Sequence, residues 1–214
     1  MKKMISYVIK SKSIYITLIL FLTIYNSALS KITSNTIVSD ISTAQLIIKS
    51  NKLIREQSTY IDFKIILEDG WHTYWINPGD SGYPMTIDWE MPPGLNIGPI
   101  NWPIPKRLPY GGLINFGFSN EVTFVSTITV SEQAPMGDKS IIAKANWLVC
   151  KDICIPEEGK FRINISILDK QEQSQPVNNQ QNYLKERNLP LLKDLSQITS
   201  IIDENFLETH IPFG

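Results

Sequence analysis

Two cysteines carry the clearest chemistry in this sequence. Cys150 and Cys154 are the only cysteines among 214 residues, and both lie within "WLVCKDICIP", residues 147–156. Four positions along an extended strand span roughly 13 Å, whereas a disulfide requires Cα atoms within about 7 Å of each other. The two sulfurs can therefore bond only if the chain turns back at residues 151–153. "WLVC" and "CIP" suit the two arms of such a hairpin, and Pro156 suits an edge strand because a missing N–H costs little there.

A bridge in so small a loop permits two interpretations. Loop-closure entropy gives the least stabilisation in short loops, and a short, strained bridge at a sheet edge is easier to reduce. The pair is therefore either a redox-active disulfide that exchanges with a partner thiol or a small structural clip, and spacing alone leaves both open. A metal site is a weaker alternative, because His72 and His210 give no recognised ligand spacing with the two cysteines. We expect no cofactor.

Two further stretches combine aromatic residues with turn formers. They read "DGWHTYWINPGDSGYP", residues 69–84, and "INWPIPKRLPYGGLINFGFSNEV", residues 100–122. Gly, Pro, Asn and Asp dominate "NPGDSG", which predicts a turn-rich loop. We expect Trp71 and Trp102 to fill the core. The aromatic residues that lie beside glycine could instead shield a reactive disulfide or dock a partner.

Residues 1–30 have the three-part pattern of a secretory signal peptide. A start with four lysines and no acid precedes the apolar run 14–25, and Ala28 and Ser30 place small residues at the spacing of a cleavage site. The run is shorter than the ~20 residues that cross a bilayer. We therefore expect cleavage after Ser30 rather than an uncleaved membrane anchor.

Export would set both the charge and the redox environment of the chain. Loss of four lysines and no acid moves the formal net charge from −1 to −5. A mildly acidic chain without a basic stripe speaks against nucleic acid as a partner. Disulfides form and persist in oxidising, exported compartments. The abundance of Ile, Lys and Asn is typical of a bacterium with an AT-rich genome, so the predicted compartment is the periplasm.

Residues 31–169 are predicted to form one all-β domain. Gly and Pro recur at short intervals between residues 70 and 159, which disfavours long helices, and the intervening runs have strand character. Such a pattern without helical alternation is typical of a β-sandwich. Residues 170–214 are predicted to be a polar linker and a partly helical tail, which could begin a second domain. The strands that we expect most clearly are 44–50, 60–67, 121–130, 140–150 and 160–168.

Four motifs in this order resemble a known family. "GWHTYWINPGDSGYP", "WPIPKRL", "FGFSNEV" and "WLVCKDICIPEEG" resemble the N-terminal periplasmic domain of the DsbD and ScsB group of transmembrane thiol:disulfide reductases. The resemblance covers roughly residues 42–168. The Cys-x-x-x-Cys spacing is closer to the ScsB-like branch than to DsbD, whose two cysteines lie further apart.

The resemblance implies a fold, a reaction and partners. The fold is an immunoglobulin-like β-sandwich, and the reaction is thiol-disulfide exchange at Cys150 and Cys154. The implied donor is a thioredoxin-like domain or a DsbD-type membrane reductase, and the implied acceptor is a periplasmic thioredoxin-fold protein. Family analogy with the second cysteine favours Cys154 as the residue that forms the mixed disulfide. Lys151 would favour a neighbouring thiolate, whereas nearby acidic residues would oppose it.

The family covers its active site with an aromatic loop, which matches the segment Tyr110–Phe118. We call this range the cap segment, and its candidate covering residues are Tyr110, Phe116 and Phe118. The family also has an acidic pair before the aromatic-glycine step, where this chain has Ile114 and Asn115. A role for those acids is therefore not expected here.

The sequence leaves open both the extent of the protein and its function. Family members usually continue into a membrane domain and a thioredoxin domain, so the chain is either a stand-alone relay module or a fragment. The alternative function is an immunoglobulin-like binding module, with a purely structural disulfide and aromatic loops that grip a protein or ligand.

Overall fold

The structure, a computed structural model, describes residues 32–170. This range forms strands joined by turns and contains no α-helix. The all-β prediction is thus confirmed. The thirteen strands of the described range are β1 (Ile32–Thr33), β2 (Ile37–Val38), β3 (Ser42–Ile48), β4 (Lys52–Ile54), β5 (Ser58–Leu67), β6 (His72–Gly79), β7 (Thr86–Glu90), β8 (Leu95–Asn101), β9 (Lys106–Tyr110), β10 (Leu113–Ser119), β11 (Glu121–Val130), β12 (Gly137–Cys150) and β13 (Cys154–Leu168).

The strands form two sheets that pack as an immunoglobulin-like sandwich. The first sheet has the order β1-β3-β5-β11-β8, with β2 also paired to β3. The second has the order β4-β13-β12-β6-β10-β9, with β7 also paired to β12. One edge of β12 pairs with β13 along its whole length, while the other meets β7 and then, at its last residue, β6. β12 and β13 are therefore the long hairpin of the second sheet.

The core lies between the sheets and follows the alternation of the strands. Phe63 of β5 packs edge-on against two rings of the opposite sheet, Phe161 at 5.2 Å and Trp147 at 5.8 Å between centroids. Such T-shaped pairs add to the free energy of burial. Trp71 and Trp102 are half-buried against this core, as expected, and Trp102 lies edge-on to Phe124 at 4.9 Å.

Two segments differ from the turn-rich loops that their composition suggested. His72–Gly79 is strand β6, so "NPG" ends a strand and only the following residues form a loop. The cap segment is a hairpin of β9 and β10 that turns at Gly111 and Gly112, both at positive φ. Glycine favours this hairpin because it adopts positive φ without steric cost.

Two sequence predictions lie outside the described residues. These are the cleaved signal peptide and the linker with its partly helical tail, and they stay predictions. Within 32–170, no helix has the length and apolar character that crossing a bilayer requires.

Candidate active site at the disulfide hairpin

Cys150 and Cys154 are bonded at the tip of the β12–β13 hairpin. They occupy directly opposite positions, with Cα atoms 4.1 Å apart. The backbone N–H of Lys151 donates to the carbonyl of Ile153 at 3.0 Å, which closes the turn. The predicted turn at residues 151–153 is therefore confirmed. Pro156 lies two positions beyond Cys154, where β12 is the only strand paired with β13 in the described part of the chain.

The two sulfurs differ sharply in their access to solvent. Cys150 is 2% exposed, whereas Cys154 is exposed. Side chains alternate across a strand, and Trp147 and Val149 belong to the core between the sheets. Cys150 therefore points to the outer face of the second sheet, where other side chains bury it. An incoming thiol or disulfide can reach Cys154 but not Cys150.

His72 and Tyr74 of β6 line the disulfide on this outer face. His72 pairs directly with Cys150 across the sheet, and Tyr74 lies two residues further on the same side. The Tyr74 hydroxyl is 3.7 Å from the sulfur of Cys154, within hydrogen-bond range for sulfur. The rings of His72 and Tyr74 are edge-on at 5.3 Å. The disulfide therefore has a wall formed by two polar aromatic side chains.

The loop after β6 holds Tyr74 in place. Tyr74 is only 2% exposed, and its ring lies against the backbone of Gly82, where a Cβ would be 2.3 Å from ring carbons. Gly82 has φ +90, a conformation that glycine tolerates best. The loop is fastened to β10 because Asp80 and Ile114 exchange two hydrogen bonds, of 2.7 and 3.0 Å.

A polar chain extends from the sulfur into the sheet. The Tyr74 hydroxyl is hydrogen-bonded to Ser81. Both the N–H and the hydroxyl of Ser81 donate to Oδ1 of Asn115, at 3.0 and 3.1 Å. Asn115 is 2% exposed, so its amide oxygen is fixed as an acceptor within β10.

Burial favours the neutral forms of the His72 and Tyr74 side chains. It raises the pKa of Tyr74 above its ordinary value of 10.0, and the hydrogen bond with Ser81 offsets part of this. Burial lowers the pKa of His72 below 6.5. Lys151 is held at the turn between β5 and β6, where its ammonium donates to the carbonyl of Asp69 at 3.3 Å. The ammonium group of Lys151 is thus anchored beside the hairpin tip.

Comparison with known proteins bears on this geometry. Residues 43–165, more than half of the chain, match the family described as thiol:disulfide interchange protein DsbD, N-terminal. The chain belongs to the DsbD N-terminal family. The resemblance that the sequence suggested is therefore confirmed.

The solved structures that resemble this DsbD N-terminal domain include the N-terminal domains of ScsB and DsbD. The N-terminal periplasmic domain of ScsB from Proteus mirabilis has a TM-score of 0.51 and 18% identity, covering 64% of this chain and 52% of that one. The chain thus spans about half the length of that structure. The N-terminal domain of Neisseria meningitidis DsbD, in the reduced form, has a TM-score of 0.36 and 11% identity, covering 63% of this chain and 86% of that one. No curated protein matches the sequence.

The cap segment of this DsbD N-terminal domain lies one strand from the wall. Tyr110 ends β9 opposite Leu113, and Phe116 is half-buried on β10 opposite Arg107. Phe118 is 6% exposed in the core, edge-on to Phe124 at 5.6 Å. Its ring is thus accounted for by core packing. The covering role of the cap segment stays a prediction.

Three residues of the site were not singled out from the sequence as functional. Tyr74 joins the site through pairing of β6 with β12, and Ser81 and Asn115 join it through the loop after β6 and the pairing of β6 with β10. The alternation of His72 and Tyr74 within "GWHTYW" was a usable signal, because residues two apart share one face of a strand. The described residues contain no group of three or more His, Cys, Asp or Glu side chains arranged to hold a metal ion.

Proposed function

We propose that the Cys150–Cys154 pair is redox-active and relays electrons by thiol-disulfide exchange. The proposed donor is a thioredoxin-like domain or a DsbD-type membrane reductase, and the proposed acceptor is a periplasmic thioredoxin-fold protein. The relay would operate in the periplasm, after export and removal of residues 1–30. One observation carries the proposal: in a DsbD N-terminal domain, an exposed Cys154 is bonded to a buried Cys150.

The hairpin also argues for exchange over a structural clip. All 14 residues of β12 pair with β13, so backbone hydrogen bonds hold the two arms together without the sulfurs. The bond closes a loop of three residues, for which the loop-entropy contribution to stability is smallest. A bond that the fold does not need for stability is free to open and close.

The proposed reaction proceeds by two displacements. The Cys154 thiolate attacks one sulfur of the acceptor disulfide, forming a mixed disulfide and releasing the other acceptor sulfur as a thiolate, which takes a proton. Cys150 then loses its proton and attacks the sulfur of Cys154, which restores the internal disulfide and releases the second acceptor thiolate, which is protonated. Two electrons and two protons pass to the acceptor. Reduction by a dithiol donor runs the same steps in reverse.

Single-cysteine variants test the proposal. Cys150→Ala leaves the exposed Cys154 and should accumulate a mixed disulfide with an oxidised thioredoxin-fold protein, seen on non-reducing gels and by mass spectrometry. Cys154→Ala leaves only the buried Cys150 and should accumulate far less. Absence of a mixed disulfide with both variants, while both stay folded, would contradict the proposal.

The alternative, a binding module with a structural disulfide, makes a different prediction. Structural bridges typically have reduction potentials below about −300 mV. Equilibration of the pair with glutathione buffers measures this value. A potential in that low range would favour the binding module, whereas a higher one favours the relay.

A further inference from the structure

The hydrogen bond between Tyr74 and Cys154 has only one possible donor in the oxidised protein. The hydroxyl of Tyr74 lies 3.7 Å from the sulfur of Cys154. In the disulfide this sulfur carries no hydrogen, so only Tyr74 can donate. A neutral sulfur is a weak acceptor, whereas hydrogen bonds to an ionised partner are roughly twice as strong as neutral ones. The hydrogen bond from Tyr74 is therefore strongest when Cys154 is a thiolate.

The position of Tyr74 is built before the reaction begins. Its ring lies between Gly82 and the edge of His72, and it is almost fully buried. The hydroxyl thus does not have to be ordered when charge develops on the sulfur. Donors that are preorganised in this way stabilise charge without a reorganisation cost.

The loop that holds Tyr74 is itself fixed to β10. The N–H of Ser81 donates to Oδ1 of Asn115 at 3.0 Å, and the hydroxyl of Ser81 donates to the same oxygen at 3.1 Å. The loop therefore need not move when charge develops on the sulfur.

We propose that Tyr74 is a catalytic residue that donates a hydrogen bond to the Cys154 thiolate. This inference rests on the proposed function for its place in exchange. Tyr74 stabilises the thiolate that attacks the acceptor disulfide, and in the reverse direction the thiolate that leaves from Cys154. No proton is transferred, because Tyr74 keeps its hydrogen and shares it with the sulfur.

The elements around Cys154 also carry other ionisable groups. They are Cys150 and His72 on the adjoining strands, Lys151 and Asp152 in the turn, and Asp80 and Tyr83 in the loop after β6. The test therefore compares variants that share one Cys150→Ala background and differ only in the tyrosine under study.

The experiment measures the pH profile of Cys154 alkylation in the full chain. A Cys150→Ala background leaves one thiol, and iodoacetamide reports the thiolate at each pH. Tyr74→Phe removes only the hydroxyl, and Tyr83→Phe is the matched control, because Tyr83 is an exposed tyrosine of the adjacent loop at 75% exposure. A hydrogen bond to a charged group corresponds to about one to two pKa units. The midpoint for Tyr74→Phe should rise by that amount, with no shift for Tyr83→Phe.

A midpoint unchanged by Tyr74→Phe, or moved equally by both tyrosine variants, would overturn the proposal. Should Tyr74→Phe fail to fold, the unaltered tyrosine provides the test in the Cys150→Ala background. The ¹³Cζ resonance of Tyr74 should shift in step with ionisation of Cys154, and a resonance insensitive to that ionisation would overturn the proposal. The alkylation assay uses only a small reagent, and the NMR measurement uses none. Neither outcome depends on whether a thioredoxin-fold partner forms a mixed disulfide.

Discussion

A glycine-to-alanine pair tests whether Tyr74 really lies against the loop after β6. Gly82 and Gly137 have nearly the same positive φ, +90 and +92. A Cβ at Gly82 would lie 2.3 Å from two ring carbons of Tyr74, whereas a Cβ at Gly137 would meet nothing within 4 Å. Both alanine variants therefore force an L-residue into a left-handed conformation, but only Gly82→Ala also overpacks a buried ring.

The strained backbone and the overpacked ring set the expected losses of stability. A left-handed conformation costs a non-glycine residue about 1–2 kcal/mol, and we expect Gly137→Ala to lose about that much stability. Overpacking a buried site adds roughly 1–3 kcal/mol, so Gly82→Ala should lose about 2–5 kcal/mol. Displacement of the ring should also lengthen the contact between Tyr74 and Cys154.

Urea unfolding of the oxidised variants measures the difference, provided that the m-values stay equal. We expect Gly82→Ala to be less stable than Gly137→Ala by about 1–3 kcal/mol. Equal losses for the two variants would show that the ring does not pack on Gly82. The account of how Tyr74 is positioned would then be wrong.

Two further predictions concern the neighbours of the site. Phe116→Ala should speed alkylation of the reduced protein if the cap segment covers the sulfurs. Its loss of stability should be less than the ~3–5 kcal/mol of a buried Phe deletion, which is the loss that we expect for Phe124→Ala. The reverse order of stability losses would place Phe116 in the core. Burial lowers the pKa of His72 below 6.5, so the unfolded chain binds its proton more readily and stability should fall as pH drops from about 6.5 through the folded pKa. His72→Gln should reduce that fall in chemical denaturation at several pH values, and an identical pH dependence in the variant would contradict the assignment.

The sandwich and the hairpin were predictable because each depends on local signals. Runs of β-branched residues such as 121–130 form strands with the predicted bounds. The turn at residues 151–153 followed from the reach of a disulfide alone. Formation of a single strand and of the β12–β13 turn needs only sequence-local geometry, since neither brings a distant residue into the argument.

The side chains that line the disulfide could not be predicted. In a sequence, a glycine that permits close packing of two strands cannot be told from a glycine that forms a loop. Gly117 lies within β10, where a Cβ would be 2.0 Å from the carbonyl oxygen of Thr73. Composition alone made this stretch resemble a loop, whereas the glycine allows β10 to approach β6. Asn115 appeared only as a replacement for an acidic residue, and its bonds to Ser81 depend on a pairing across 34 positions of sequence.

The unbroken register of β12 and β13 has a kinetic consequence for exchange. Because all 14 pairs up to Cys150 and Cys154 are set by the backbone, a reduced Cys150 stays opposite the sulfur that carries a bound partner. Well-oriented groups of this kind can reach effective molarities of about 10⁵–10⁸ M. The mixed disulfide should therefore be short-lived, and release of the partner should not wait for a conformational search.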